Sequence, residues 1–383
     1  MLDPQENPIE YLRQRIADDP ATFTRHFFAR LFAIRPDLRE LYPASMTHQR
    51  ASFHKMINHI LSVVPQPAGH EELIEVLGQL GRDHRKFDVL PEYYPLAGQV
   101  IVDEFAELLG DAWTPSTAAT ITEAFNLAAG VMRGAAEYVE GPAVWTARVE
   151  QKFRVSRGVA VIRLVANAPL PQKAGQYLEV QIPQWRRVWR NLSPSIPPNP
   201  QGELEFHVRS VEGGTFSKSV ILETQVGDVW ALAQAHGTMQ VKYDGSEVLM
   251  IAGGTGLAPL RAILTDMSRR VDAPRTTLYY GTKYPGELYE LGVLRRMVAQ
   301  NPWLRVIVTS EEKEDPWWLN ASALPQDSTI EHRYGKAIDA ALDDGRWAMH
   351  QVLIAGSPEM VQNTRRQLLI AGVPSSSIQH DPV

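Results

Sequence analysis

The chain has 383 residues, 44 % of them hydrophobic and 21 % charged, with a formal net charge of −6, a composition that fits globular protein of two or three domains. It contains no cysteine, which excludes disulfides, thiolate nucleophiles, cysteine-bound zinc and iron–sulfur clusters. The acidic balance argues against a nucleic-acid partner. No run approaches the roughly 18 apolar residues of a membrane span, and Met1-Leu2-Asp3-Pro4 lacks signal-peptide character. The expectation is a cytoplasmic protein with no membrane span and no evident obligate protein partner.

The first region, residues 1–141, reads as all-helical. Phe23, Phe27, Phe28, Leu31 and Phe32 recur at helical spacing before Pro36. Further helical stretches are expected near residues 48–63, 71–84, 91–109 and 116–139. Pro65-Gln66-Pro67, Pro91, Pro95 and Gly110 interrupt them, and Pro115-Ser116 opens the last. From Gly141-Pro142 the pattern changes. Residues 142–244 carry short β-rich runs at 159–166, 176–182, 203–211 and 228–233, separated by turn signals such as Pro197-Pro198-Asn199-Pro200 and Gly213-Gly214. This predicts a small antiparallel barrel. In residues 245–383, apolar runs at 248–252, 277–280, 304–308 and 352–355 alternate with helical stretches, which predicts an α/β domain with a parallel sheet.

The clearest motif is Gly253-Gly254-Thr255-Gly256-Leu257-Ala258-Pro259, which follows an apolar strand and opens a helix. Glycines allow a tight turn, and the helix start offers amide donors to a diphosphate. Ala355-Gly356-Ser357-Pro358 also stands between a strand and a helix. Together the two segments resemble the ferredoxin-reductase superfamily. That resemblance implies that the first turn holds the NAD(P)H pyrophosphate and that Gly356 lies near the nicotinamide; Ala355 replaces the usual cysteine. Arg190-Asn191-Leu192-Ser193 resembles the superfamily's Arg-x-Tyr-Ser flavin motif, with Leu192 where tyrosine is usual. Arg190 is then expected at the FAD diphosphate and Ser193 near the ring. Gly214-Thr215-Phe216-Ser217 resembles the Gly-x-x-Ser turn at that diphosphate, so Gly214 and Ser217 are candidates too. Gly175-Gln176-Tyr177 fits the same scheme. At the C-terminus, where relatives carry a flavin-shielding aromatic, either His380 takes that place or the flavin face stays open. Glu311-Glu312 after the third strand would repel a 2′-phosphate, which favours NADH over NADPH.

The helical region contains His84 and, ten residues on, Tyr94, preceded by Phe28, Leu41-Tyr42-Pro43 and Gln49 with Phe53. This series resembles the flavohaemoglobin globin domain, and with the two later regions the resemblance to the flavohaemoglobin family covers the chain in order. It implies haem b, FAD and NADH as cofactors and His84 as iron ligand, a role suited to imidazole. Tyr94 and Glu140 would form the proximal network, Gln49 and Phe53 would face the distal side, and Tyr42 would wedge the haem. Lys86 would reach a haem propionate or the FAD. Phe28 stands where the family usually has a tyrosine donor. His48 and His54, which flank Gln49, are expected at the solvent. The implied activity passes electrons from NAD(P)H through FAD to haem, with oxygen and nitric oxide as ligands and nitrate as product. Phe28, Leu192 and Ala355 also resemble a divergent subgroup with another donor such as D-lactate and weak nitric oxide turnover. A haem-based oxygen or redox sensor is a third reading. Trp185, Trp189, Trp317 and Trp318 mark either an interface or ordinary packing.

Overall fold

The computed structural model describes residues 4–64, 70–317, 319 and 329–382. The breaker Pro65-Gln66-Pro67 and Trp318 lie outside the described residues. The chain forms two compact units, residues 1–144 with 186–188, and the remainder.

The first unit is helical: α1 (Pro8–Asp18), α2 (Pro20–Ile34), α3 (Thr47–Val63), α4 (His70–His84), α5 (Tyr93–Leu109) and α6 (Pro115–Glu137). Three of these helices start by one device. Asn7, Asp19 and Thr114 each accept a backbone N–H in the first turn, and a proline follows at the first helical position. Pro95, read as an interruption, lies inside the first turn of α5, where the missing N–H has no intrahelical partner to lose. After α2 the chain makes a 3-10 turn at Pro36–Leu41. The core is aromatic. Phe23 stacks 5.8 Å from Phe105, and Phe105 meets Phe125 edge-on at 5.4 Å. Helices α4 and α6 touch through Gly81, where a Cβ would lie 2.1 Å from the Met132 carbonyl oxygen.

The second unit opens with an antiparallel sheet: β1 (Trp145–Ser156), β2 (Val159–Ala166), β3 (Tyr177–Gln181), β4 (Arg190–Leu192), β5 (Glu203–Arg209) and β6 (Val229–His236), in the order β4-β3-β6-β1-β2-β5. The ends of that order meet. Pro194 bridges to Phe206, and the Ser195 N–H donates to the Glu205 carbonyl at 2.8 Å, so the sheet closes as a barrel. Helix α7 (Thr215–Leu222) sits between β5 and β6. Strand β1 and helix α7 were not anticipated. Trp145, Ala147 and Val149 do alternate inward, but α7 is too short to show a helical period.

A parallel sheet follows: β7 (Val248–Gly253), β8 (Thr276–Thr282), β9 (Leu304–Ser310), β10 (Glu331–Tyr334), β11 (Gln351–Ala355) and β12 (Ile378–Gln379), in the order β10-β9-β8-β7-β11-β12. Helices α8 (Leu257–Met267), α9 (Leu291–Gln300), α10 (Ala337–Asp344) and α11 (Pro358–Ile370) accompany it. One face buries Met250, Leu278 and Tyr280, the other Leu249, Ile251 and Tyr279. Burial on both faces explains why these strands read as unbroken apolar runs. The strand order reverses between β7 and β11, and ligands of such sheets bind outside the strand ends at that point.

Candidate functional site: a flavin–nicotinamide cavity and a haem-type histidine

In the second unit, a cavity of about 1200 Å³ opens at the switch point. The Gly253–Gly256 turn after β7, Gly356 after β11, and Leu192 with Ser193 at the end of β4 all line it. Two motifs a hundred residues apart in the chain therefore share one wall, because Ala252 pairs with Ala355 in the sheet. Their contact is tight. A Cβ on Gly256 would lie 2.4 Å from the Ala355 carbonyl oxygen, so only glycine fits. Thr255 and Pro259 line the cavity as well, and Pro259 occupies the first turn of α8. A helix start beside a roomy cavity at the switch point fits a dinucleotide.

Arg190, Gly214 and Ser217 lie outside the lining. Arg190 is exposed, and its Nη1 donates to the Trp189 carbonyl at 2.8 Å. Gly214 precedes α7, and the Ser217 hydroxyl accepts from the Val211 N–H at 3.1 Å. Gly175 adopts φ +93°, and a Cβ there would meet the Met239 carbonyl oxygen at 2.4 Å. Gln176 accepts from the Lys173 N–H and donates to the Gly237 carbonyl. At the C-terminus the cavity is lined by Asp381 and Pro382 rather than by His380, whose Nδ1 donates to the Asp381 carbonyl at 2.7 Å. Oδ1 of Asp381 is buried without a partner, and burial pushes this carboxyl up to about 6. Glu311 lines the cavity, but so do Lys283 and Lys336; Glu312 is not part of the wall. Of the tryptophans, Trp185 donates to the Ser219 hydroxyl at 2.7 Å, and Trp317 is exposed.

The globin-like unit gathers most of its predicted residues into two groups. His84, the last residue of α4, lies 5.9 Å from the Tyr94 ring, centroid to centroid. Its Nδ1 is buried with no hydrogen-bond partner. Burial, with Lys86 nearby, pushes its pKa down to about 4, so the ring is neutral and keeps a lone pair for a metal. The Tyr94 hydroxyl, pushed up to about 12 by burial, lies 3.5 Å from the Gly81 carbonyl. Glu140 makes no hydrogen bond to this pair, although the adjoining Gly141 carbonyl accepts from Arg85 Nη2 at 2.8 Å. It is exposed beyond the end of α6, where the chain turns through Gly141 at φ +85°. In the second group, the Phe28 ring meets Tyr42 at 5.4 Å and Phe53 at 5.5 Å. Gln49 Oε1 is likewise buried without a partner. His48 is exposed, and His54 Nε2 lies 2.9 Å from Asn58 Nδ2. The Lys86 ammonium sits 4.9 Å from the Phe87 ring centroid. The orphaned nitrogen on a neutral imidazole fits a haem ligand; the Gln49 orphan is an oxygen, which accepts, so it does not by itself mark a donor to a bound gas.

Sequence reasoning missed a buried polar cluster beside the cavity. Glu205 and His207 of β5 are 3 % and 6 % exposed. They meet Arg261 of α8 and Tyr289.

Comparison with known proteins agrees with this division. The chain matches the Globin family over residues 25–132, the oxidoreductase FAD-binding domain over 146–241 and the oxidoreductase NAD-binding domain over 250–366. The reductase component of phenol 2-monooxygenase from Pseudomonas sp. (strain CF600) is 28 % identical over 202 residues, with 52 % of this chain and 54 % of that protein aligned. The chain thus spans about half the length of that relative. A flavohemoprotein of Deinococcus radiodurans is 26 % identical over 310 residues, which cover 76 % of each chain. The structure of a Malassezia yamatoensis flavohemoglobin, solved with bound FAD and heme, shares the fold over 99 % of both chains, with a TM-score of 0.73 and 17 % identity. Fold and site therefore define an oxidoreductase in which a globin precedes FAD-binding and NAD-binding modules. The globin, FAD-binding and NAD-binding domains in this order, with flavohaemoprotein relatives, support the flavohaemoglobin family, and these domains make haem, FAD and NAD(P)H the cofactors. No helix among the described residues is long and apolar enough to cross a membrane.

Proposed function

We propose that this protein draws electrons from NADH through FAD to haem and, with oxygen, converts nitric oxide to nitrate. The observation that carries the electron path is the single cavity in which Leu192 and Ser193 face Gly253–Gly256 and Gly356. The cofactors supply the redox chemistry: a hydride donor, a relay from two electrons to one, and a gas-reactive iron. The chain's residues bind and orient. Arg190 offers a bidentate fork to the FAD diphosphate, with Gly214 and Ser217 beside it, and Ser193 is the hydroxyl at the ring. Thr255, Pro259 and the glycine turn hold the pyrophosphate. Glu311 accepts from ribose hydroxyls, which favours NADH. His84 supplies the iron ligand, and Tyr94 walls its ring on one side. Gln49 supplies the donor amide of the distal pocket, while Phe53 and Tyr42 exclude water from it. Lys86 is the cation for a propionate. The working boundaries are 1–141, 142–244 and 245–383, in a cytoplasmic protein.

Nitric-oxide-dependent NADH oxidation by the haem- and FAD-loaded protein tests the reading. One nitrate per nitric oxide, with NADH a better donor than NADPH, is expected. Haem that stays oxidised under anaerobic NADH would end it. A second reading, a haem–flavin oxidoreductase with a donor such as D-lactate and weak nitric oxide turnover, is favoured by the distal side. Phe28 is buried among aromatic rings and carries no donor. Flavin reduction by D-lactate without NADH would support it.

A further inference from the structure

Behind the cavity wall stands a buried polar network that the proposed electron path does not use. His207 and Tyr289 form part of the wall. His207 Nδ1 lies 3.0 Å from the Tyr289 hydroxyl, and the rings meet edge-on at 5.4 Å. His207 Nε2 lies 3.1 Å from Glu205 Oε1 and 3.2 Å from Arg261 Nη1. The same Glu205 oxygen accepts from Arg261 Nη1 at 2.6 Å and from the Ser195 hydroxyl at 2.7 Å. Its other oxygen accepts from Arg163 Nε at 2.6 Å. Arg261 Nη1 also lies 3.0 Å from Glu290 Oε2. Two carboxylates thus balance two guanidiniums. The groups come from the barrel (Arg163, Ser195, Glu205, His207) and from the parallel-sheet module (Arg261, Tyr289, Glu290).

Position gives the network its consequence. Arg261 lies about one turn beyond the start of α8, the helix that the Gly253–Gly256 turn opens. Glu205 and His207 lie on β5, whose first half is bonded to the chain just after Leu192 and Ser193. The network therefore joins the element carrying the pyrophosphate turn to the strand that backs the flavin motif. Arg163 is half exposed, but burying Glu205, Arg261 and Glu290 has a desolvation cost of several kcal/mol per ion, and apolar residues of like volume would often be as stable. What an ion pair adds over an apolar contact is a fixed geometry.

We propose that the Arg261–Glu205 pair, which lies outside the cavity lining and is braced by His207 and Tyr289 of its wall, is a strut that sets the separation of nicotinamide and flavin and so the rate of hydride transfer. These are positioning residues, and the inference rests on the reading that NADH reduces FAD in this cavity. A displacement of about 1 Å can slow a reaction about 100-fold.

The test is anaerobic stopped-flow mixing of the holoprotein with NADH. The long-wavelength charge-transfer absorbance between nicotinamide and flavin is followed first, then flavin reduction per bound FAD. Glu205→Gln and Arg261→Met should weaken the charge-transfer band and slow reduction about 10- to 100-fold. The KM for NADH and the FAD affinity should stay within about threefold of the parent, a split that distinguishes a strut from binding or folding roles. Arg261→Lys should recover part of the rate, and the double variant should be no slower than the worse single one. A rate per FAD within about twofold of the parent, or a loss wholly mirrored in FAD content or KM, overturns the strut. If the charge variants do not fold, Tyr289→Phe, which removes only the hydroxyl at His207, decides. It should lower the band and the rate severalfold, and an unchanged band refutes the inference. Failure of the parent itself to accept electrons from NADH is a different result and refutes the reading beneath it.

Discussion

Two buried polar sites, one in each unit, are satisfied to opposite degrees. In the helical unit, His84 Nδ1 and Gln49 Oε1 are buried with nothing to bond. In the barrel, both oxygens of Glu205 and both ring nitrogens of His207 are engaged by protein groups. Buried polar groups in native proteins are nearly always satisfied, so an orphan on a metal-binding ring calls for an explanation that the satisfied Glu205–His207 pair does not. The first arrangement marks a place for something the chain does not itself supply. The second marks a part of the chain that holds another part in place.

The sharpest break in that comparison is at His84. If its orphaned nitrogen belongs to an iron-binding ring, His84→Ala should lose haem and keep FAD. Removing a group that merely hydrogen-bonds a metal ligand costs about 10- to 100-fold in metal affinity, and loss of the ligand itself should exceed that. The ratio of haem to flavin absorbance in purified protein reads the effect. Haem retained at the parental ratio would mean that the orphan has another explanation.

The satisfied Glu205–His207 pair predicts the opposite behaviour, a stability defect. Glu205→Ala leaves Arg261 buried beside the cavity without its main partner, and breaking such a pair costs about 3–5 kcal/mol. The acid dependence has a definite sign. Burial alone raises the Glu205 carboxyl, but His207, Arg261, Ser195 and Arg163 outweigh it and hold it well below the usual carboxylate range. A folded pKa below the unfolded one gives stability that is present above the unfolded value and is lost as pH falls through the folded one. Thermal melting of the FAD-loaded protein should therefore decline on acidification below the ordinary carboxylate range. The decline should be shallower in Glu205→Gln, and parallel slopes would contradict the assignment.

The sequence made the orphans easier to find than the cluster. His84 stands at the end of a strongly periodic helix, and Tyr94 follows at a family spacing. The two glycine turns are legible because strand, turn and helix follow one another locally. Glu205 and His207 alternate with Leu204, Phe206 and Val208, which is the pattern of a strand with one wet face. Their face is dry because α8, some fifty residues later, covers it, and local alternation carries no sign of that. Arg261 gave no signal either, since one arginine on a helix is ordinarily solvated. The C-terminus shows the same limit. The family pattern directs attention to an aromatic or His380, but the strand β12 ends so that Asp381 turns inward. Glu140 is the reverse case, matched by its order in the chain and exposed in space.

The smallest expected effect tests whether the helical unit's apolar interior is itself functional. Phe28 is 4 % exposed, with Tyr42 and Phe53 at 5.4 and 5.5 Å. Phe28→Tyr adds one hydroxyl to this group. If the ring faces the iron, the hydroxyl becomes a donor to a gas ligand, and one such hydrogen bond contributes about 0.5–1.5 kcal/mol net. Oxygen dissociation from the reduced protein should then slow by about 2- to 13-fold, a range that follows from that energy and is readable by flash photolysis. If the ring faces only its aromatic neighbours, the hydroxyl is buried unpaired at a cost of about 1–3 kcal/mol. Melting would fall and the off-rate would stay put. The two outcomes differ in sign and in observable. An unchanged off-rate would show that Phe28 does not face the iron, and would leave Gln49 as the only distal donor in the proposed scheme.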